Sequence, residues 1–162
     1  MPISQVGRGR AALKRMYLCE MATFYRFTVF EDAFFFCNQA KGLPDVLSSV
    51  PLKERYSRAS IILSWVALEE ALSTSETVLR KRGVIDGDVP KKLREKAAYL
   101  AKITEHQPVD ASEFLTLRRL RNELAHPHTG SKEYIPTPEE ALASFKFCLE
   151  TASRAFPYNI KI

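Results

Sequence analysis

Long apolar runs are missing from the 162-residue sequence. The longest uncharged apolar stretch, residues 59–68, is about half the length that a membrane-spanning helix needs. Charged side chains also interrupt the first 20 residues, where a secretory signal would require a continuous apolar segment. We therefore expect a soluble, cytoplasmic protein without a membrane partner.

Cysteine is scarce as well, since Cys19, Cys37 and Cys148 form an odd number without a C-x-x-C pair. Cys37 and Cys148 stand in apolar surroundings, FFFCN and FKFCL, which are typical of buried thiols. We expect all three to be reduced core residues. The three histidines lack a nearby cysteine pair and an H-E-x-x-H motif, so we expect no metal and no cofactor.

Glycine-rich phosphate loops are also missing, which excludes a P-loop or dinucleotide-binding fold. The glycines and prolines instead separate five stretches in which apolar residues recur every three or four positions. In the second stretch this stripe comprises Ile61, Trp65, Leu68, Leu72 and Leu79. We predict helices at about 9–41, 52–82, 90–104, 110–126 and 138–156.

The first of these helices contains a run, residues 23–30 (TFYRFTVF), that is rich in strand-favouring residues. Because no second such run is available for pairing, we assign it to a helix. The predicted fold is an all-α antiparallel bundle of about five helices, in a single domain spanning residues 1–162.

Several predicted helix ends carry capping sequences. Residues 137–140 read TPEE, a capping box with proline in the first turn, and residues 110–113 offer the same reciprocal arrangement. Gly42 and Gly83 follow lysine and arginine residues and resemble left-handed C-caps.

The predicted fourth helix ends in the sequence RRLRNELAHPH. Its apolar stripe consists of Leu117, Leu120 and Leu124. Asn122 and His126, four residues apart, share a line on the opposite side, and Arg121 lies at the edge of the stripe. Because His126 precedes a proline, we expect it at the helix end, near the surface. It therefore faces solvent or a partner.

The R-N-x-x-x-H pattern of Arg121, Asn122 and His126 resembles the signature of the HEPN domain superfamily. HEPN domains are antiparallel helical bundles, and here the motif likewise falls in the penultimate helix. Many members carry a glutamate near the site on an apolar helix. Residues 60–72 (SIILSWVALEEAL) resemble that helix, and Glu69 rather than Glu70 is our choice for this position.

The resemblance implies a metal-independent endoribonuclease of the toxin or defence kind. His126 would move a proton between the ribose 2′-OH and the leaving 5′-oxygen, Arg121 would stabilise charge on the phosphoryl oxygens, and Asn122 would orient the phosphate or the imidazole. In HEPN nucleases the active cleft lies where two domains meet, which implies a homodimer with two histidines. An antitoxin or nucleotidyltransferase partner is also expected from the resemblance.

The formal net charge of +5 favours an anionic partner such as RNA, and we expect RNA contacts from Arg118, Arg119 and His128. A second basic group brackets the second loop, from Arg80 to Lys96. Solvated helix ends are an equally good interpretation of these charges. Arg121 and His126 would then serve only helix-end electrostatics, in a non-catalytic module that dimerises or binds a nucleotide or a protein.

Overall fold

The computed structural model describes residues 28–126 and 134–157, and the regular secondary structure in these two ranges is entirely helical. Helix α1 is helical from residue 28 to 42. The other helices are α2 (Val50–Lys81), α3 (Leu93–Ile103), α4 (Ala111–Ala125) and α5 (Pro138–Ala155), with a 3-10 turn at Leu47–Ser49. None of the described helices is long and apolar enough to cross a membrane.

The predicted all-α bundle is confirmed. The ends of α2 to α5 differ from the predicted ones by no more than three residues. The predicted start of the first helix, at residue 9, lies outside the described residues, and so does Cys19.

Helix α2 lies at the centre of the bundle and forms its largest interface with α5. The predicted stripe is buried: Ile61, Trp65, Leu68, Leu72 and Leu79 are at most 1% exposed. The indole Nε1 of Trp65 donates to Ser144 Oγ at 3.1 Å, and the hydroxyl of Ser75 donates to the carbonyl of Ala155. The residue that comes later in α2 contacts the residue that comes later in α5, so the two helices run parallel.

Helices α1 and α2 are antiparallel. Ser60 Oγ donates to the Ala33 carbonyl at 2.7 Å, while the rings of Phe36 and Tyr56 pack with centroids 5.9 Å apart. Within α1, Cys37 is fully buried, whereas Phe35 is 55% exposed. The aromatic run of α1 is therefore only partly core.

Helix α4 is anchored by Phe114, which is fully buried. Its ring meets Trp65 edge-on, with centroids 5.3 Å apart, and meets Phe147 in the same way at 5.7 Å. This aromatic cluster joins α2, α4 and α5, and so fixes the helix that carries the R-N-x-x-x-H motif.

The caps are confirmed in part. Thr137 and Glu140 form the predicted capping box, and Asp110 accepts the backbone N–H groups of Ser112 and Glu113. Gly83 has the predicted left-handed conformation, with φ of 70°.

The prediction of a left-handed cap at Gly42 is wrong. Gly42 belongs to α1, and among the described glycines only Gly83 has a positive φ. Leu43, which precedes Pro44, leaves the helix instead. A residue before proline is disfavoured in the helical region, so α1 ends without a left-handed glycine.

Cys37 and Cys148 are free, buried thiols, as predicted. Burial raises the pKa of both side chains, because a thiolate loses its hydration in an apolar environment. Neither thiol is therefore set up as a nucleophile.

Candidate functional site

Helix α4 turns one side to the core and the other to the surface. Phe114 and Leu124 are buried, while Leu117 and Leu120 are partly buried against the core. The predicted leucine stripe is thus the inner side of α4. The outer side is left without a helix packed on it within the described part of the chain.

The C-terminal end of α4 projects His126 away from the bundle. Its backbone N–H still donates to the Asn122 carbonyl at 2.9 Å, but φ of −133° and ψ of 70° take it out of the helix. A residue before proline avoids helical backbone angles, as the sequence predicts. Both His126 and Asn122 are exposed.

An open groove of about 810 Å³ follows the outer side of α4. It is lined by Leu115, Arg118, Arg119, Asn122, Glu123 and His126. Four of these are residues predicted from the sequence to act on or bind RNA. The fifth predicted contact on this side, His128, lies outside the described residues.

Two parallel rows of side chains form the lining, each with a spacing of four residues. Arg118, Asn122 and His126 form one row, and all three offer hydrogen-bond donors when the histidine is protonated. The other row is formed by Leu115, Arg119 and Glu123, of which Leu115 and Glu123 were not among the residues predicted from the sequence. Both could have been found from the sequence, because each lies four residues from Arg119.

The ion pair inside the groove is weak. Arg119 Nε lies 2.9 Å from Glu123 Oε1, with 83% of the arginine side chain exposed. Exposed pairs one helical turn apart stabilise a helix by only about 0.3–0.5 kcal/mol. An anionic ligand can therefore replace Glu123 as the partner of Arg119 at little cost.

Arg121 points away from the groove, toward α2. Its Nη2 atom lies 3.7 Å from Glu69 Oε1, and its Nη1 donates to Asn122 Oδ1 at 3.1 Å. Five residues along a helix correspond to a rotation of about 140°, which separates Arg121 from His126 on the surface of α4. The structure brings Arg121 to Glu69 and Asn122, but not into the groove beside His126.

The pairing with Arg121 distinguishes the two adjacent glutamates of α2. Glu69 is the one that faces α4, and its side chain is 49% exposed. Glu70 is exposed as well, and its backbone carbonyl accepts the Thr74 hydroxyl. Glu69, the choice made from the sequence, is thus the glutamate next to the motif.

The basic group at the second loop is used within the fold. Lys96 Nζ and Arg80 Nε lie 2.7 and 3.0 Å from the carboxylate of Glu76. The pKa of Glu76 lies below its usual value, because Lys96 and Arg80 both donate hydrogen bonds to the carboxylate and carry positive charge. Eleven residues separate Glu69 from Arg80, or about 16 Å along α2. These cations do not line the groove.

Metal-ligating residues are not grouped in the described ranges, where no three histidine, cysteine, aspartate or glutamate side chains come together. His106, the other described histidine, lies just beyond α3, and its Nδ1 is 3.3 Å from Thr104 Oγ1. The polar groups that line the groove are one imidazole, one carboxamide, one carboxylate and two guanidinium groups.

Comparison with other proteins gives no relative from which a role could be transferred. The chain matches no protein-family model, and neither the curated proteins nor the solved structures contain a match.

Proposed function

We propose that this chain is a HEPN-type, metal-independent endoribonuclease of the toxin or defence kind, active as a homodimer. One observation carries the proposal: His126 and Asn122 are exposed beside Arg118 and Arg119 in one open groove, on the side of α4 that the core does not use. An imidazole that shares a groove with two guanidinium groups is suited to acid–base chemistry on a phosphodiester.

The proposed reaction is a transesterification within the RNA. The 2′-oxygen loses its proton to a base, bonds to phosphorus and displaces the 5′-oxygen, which takes a proton from an acid. The products are a 2′,3′-cyclic phosphate and a 5′-hydroxyl, so no water is consumed in this step. A neutral imidazole serves as the base and a protonated one as the acid.

A single His126 cannot be acid and base in the same step. A second copy of the chain, related by a twofold axis, would bring a second His126 to the cleft. The exposure of His126 and the absence of a covering helix on the groove, within the described chain, are compatible with this arrangement.

Phosphoryl charge needs a cation close to the reacting phosphorus. Arg118 and Arg119 already line the groove, and their guanidinium groups can donate two hydrogen bonds to a phosphate. Arg121 contributes its charge from behind Asn122, to which it is hydrogen-bonded.

The test uses RNA in which the attacking 2′-hydroxyl group is blocked. Purified full-length protein is incubated in EDTA with unmodified RNA and with the same RNA carrying 2′-O-methyl groups. We expect cleavage of the unmodified RNA alone, with cyclic phosphate at the new 3′ ends. Cleavage of the 2′-O-methyl RNA, or a requirement for added metal, would contradict the mechanism.

A second candidate function is a non-catalytic module that dimerises or binds a nucleotide or protein. It is favoured by the pairing of Arg121 with Glu69, which keeps the motif arginine out of the groove. Such a module would bind a nucleotide or a protein without cutting RNA, and it would tolerate a dimer with the two His126 side chains far apart. An antitoxin or a nucleotidyltransferase, if either is the partner, would cover the groove and suppress cleavage.

A further inference from the structure

A chain of polar contacts links the central helix to the groove. Glu69 on α2 lies 3.7 Å from Arg121 Nη2, and Arg121 Nη1 donates to Asn122 Oδ1 at 3.1 Å. Asn122 is the member of this chain that lines the groove. The contacts therefore run from α2, through a guanidinium group behind α4, to a side chain that a ligand can touch.

The direction of the last hydrogen bond fixes the orientation of the carboxamide. A guanidinium group has only donors, so Asn122 must turn its oxygen toward Arg121. The amide nitrogen Nδ2, with its two N–H bonds, is then directed away from Arg121. Without this partner the carboxamide can rotate and present either its oxygen or its nitrogen to the groove.

We propose that Glu69 and Arg121 are positioning residues, which hold Asn122 so that its N–H groups meet a phosphate of RNA in the groove. This inference rests on the proposed function, since RNA supplies the phosphate. It gives Arg121 a different task from direct contact with the phosphoryl oxygens. In this arrangement one guanidinium nitrogen lies beside Glu69 while the other donates to the carboxamide oxygen of Asn122.

A cost in stability accompanies this arrangement. Arg121 Nε is buried, and in the described part of the chain it has no hydrogen-bond partner. A buried donor without a partner is unfavourable, because water no longer satisfies it. The Glu69 contact is long and half exposed, so it offsets little of that loss.

The first test needs no RNA. In ¹⁵N spectra of the full-length protein, the side-chain amide of Asn122 is followed in the wild type, Glu69→Gln and Arg121→Lys. Lysine keeps the charge but cannot bridge two partners as a planar guanidinium does. We expect both variants to move the Asn122 signals toward those of the exposed Asn38, while Arg80→Lys leaves them in place. Unchanged signals in Glu69→Gln and Arg121→Lys would overturn the proposal.

The second test is a double-mutant cycle on binding of an uncleavable 2′-O-methyl RNA, followed by fluorescence anisotropy. Loss of a hydrogen bond to a charged group predicts about tenfold weaker binding for Asn122→Ala. Arg121→Lys should weaken binding in the wild-type background and add no further loss to Asn122→Ala. Additive losses would show that Arg121 acts on the RNA by itself and would refute the positioning role.

The two tests separate this inference from the proposed function. RNA that binds but is never cut refutes the nuclease and leaves the positioning role supported if the cycle is non-additive. RNA that fails to bind to any variant refutes both the RNA function and the positioning of Asn122 for a phosphate.

Discussion

Replacing Phe114 with alanine tests whether α4, and with it the groove, is held by the aromatic cluster. Phe114 is fully buried and meets the rings of Trp65 and Phe147. Burial of a phenylalanine contributes about 1.5–3 kcal/mol. Two edge-on ring contacts bring the total to about 2.5–6 kcal/mol. We expect Phe114→Ala to lower the free energy of unfolding by about 3–5 kcal/mol, within the usual range for this substitution.

The assay is urea unfolding, followed by the fluorescence of Trp65, the single tryptophan, whose indole lies against Phe114. Leu115→Ala is the matched control, because Leu115 is the next residue of the same helix and is 50% exposed. Its loss should stay within about 0.5 kcal/mol. A loss below about 1 kcal/mol in Phe114→Ala would show that the cluster does not anchor α4.

Three further predictions concern the fold. Thr137→Ala removes the capping box of α5 and should lower stability by about 1 kcal/mol in urea unfolding, whereas Thr77→Ala, on the exposed side of α2, should change it little. The pKa of Glu76 is lowered in the folded protein, so its carboxylate stabilises the fold above about pH 4.3. The free energy of unfolding lost in Glu76→Gln should therefore shrink as the pH falls through the folded-state pKa. An equal loss at pH 3 and pH 7 would contradict this. Cys37 and Cys148 should react with iodoacetamide far more slowly in the folded protein than in urea, as peptide mass spectrometry would show; equal rates would contradict their burial.

The helices of the described chain were predictable because their local signals agree with one another. The stripe from Ile61 to Leu79 gives α2 a continuous inner side, and all five of its members are buried. Thr137 and Asp110 mark the starts of α5 and α4 with side chains that accept backbone N–H groups. Such signals involve residues within one or two turns, so a sequence displays them directly.

The relations between helices were harder to predict. The parallel course of α2 and α5 shows in the pairings of Trp65 with Ser144 and of Ser75 with Ala155, which are 79 and 80 residues apart. No local pattern encodes such a contact. Which of Glu69 and its neighbour Glu70 lies near Arg121 also depends on where α4 crosses α2, and in the structure it is Glu69.

In the candidate site, the exposure of Asn122 and His126 was predictable from the sequence, whereas the contacts of Arg121 were not. Helical spacing places Asn122 and His126 on the outer side of α4, where both are exposed. The same spacing turns Arg121 about 140° away from His126, and its contact with Glu69 depends on the position of α2. The motif therefore indicates the residues but not their grouping, which is why the task of Arg121 needs a test of its own.

The proposed role of His126 is tested by comparing RNA cleavage by the wild type, His126→Ala and His106→Ala in EDTA, after all three are shown to be folded and to have the same oligomeric state. His106 is an exposed histidine outside the groove, so its loss controls for general effects of removing an imidazole. We predict that the wild type and His106→Ala cut RNA at similar rates and that His126→Ala does not. Equal cleavage by all three would show that His126 does not take part in the reaction.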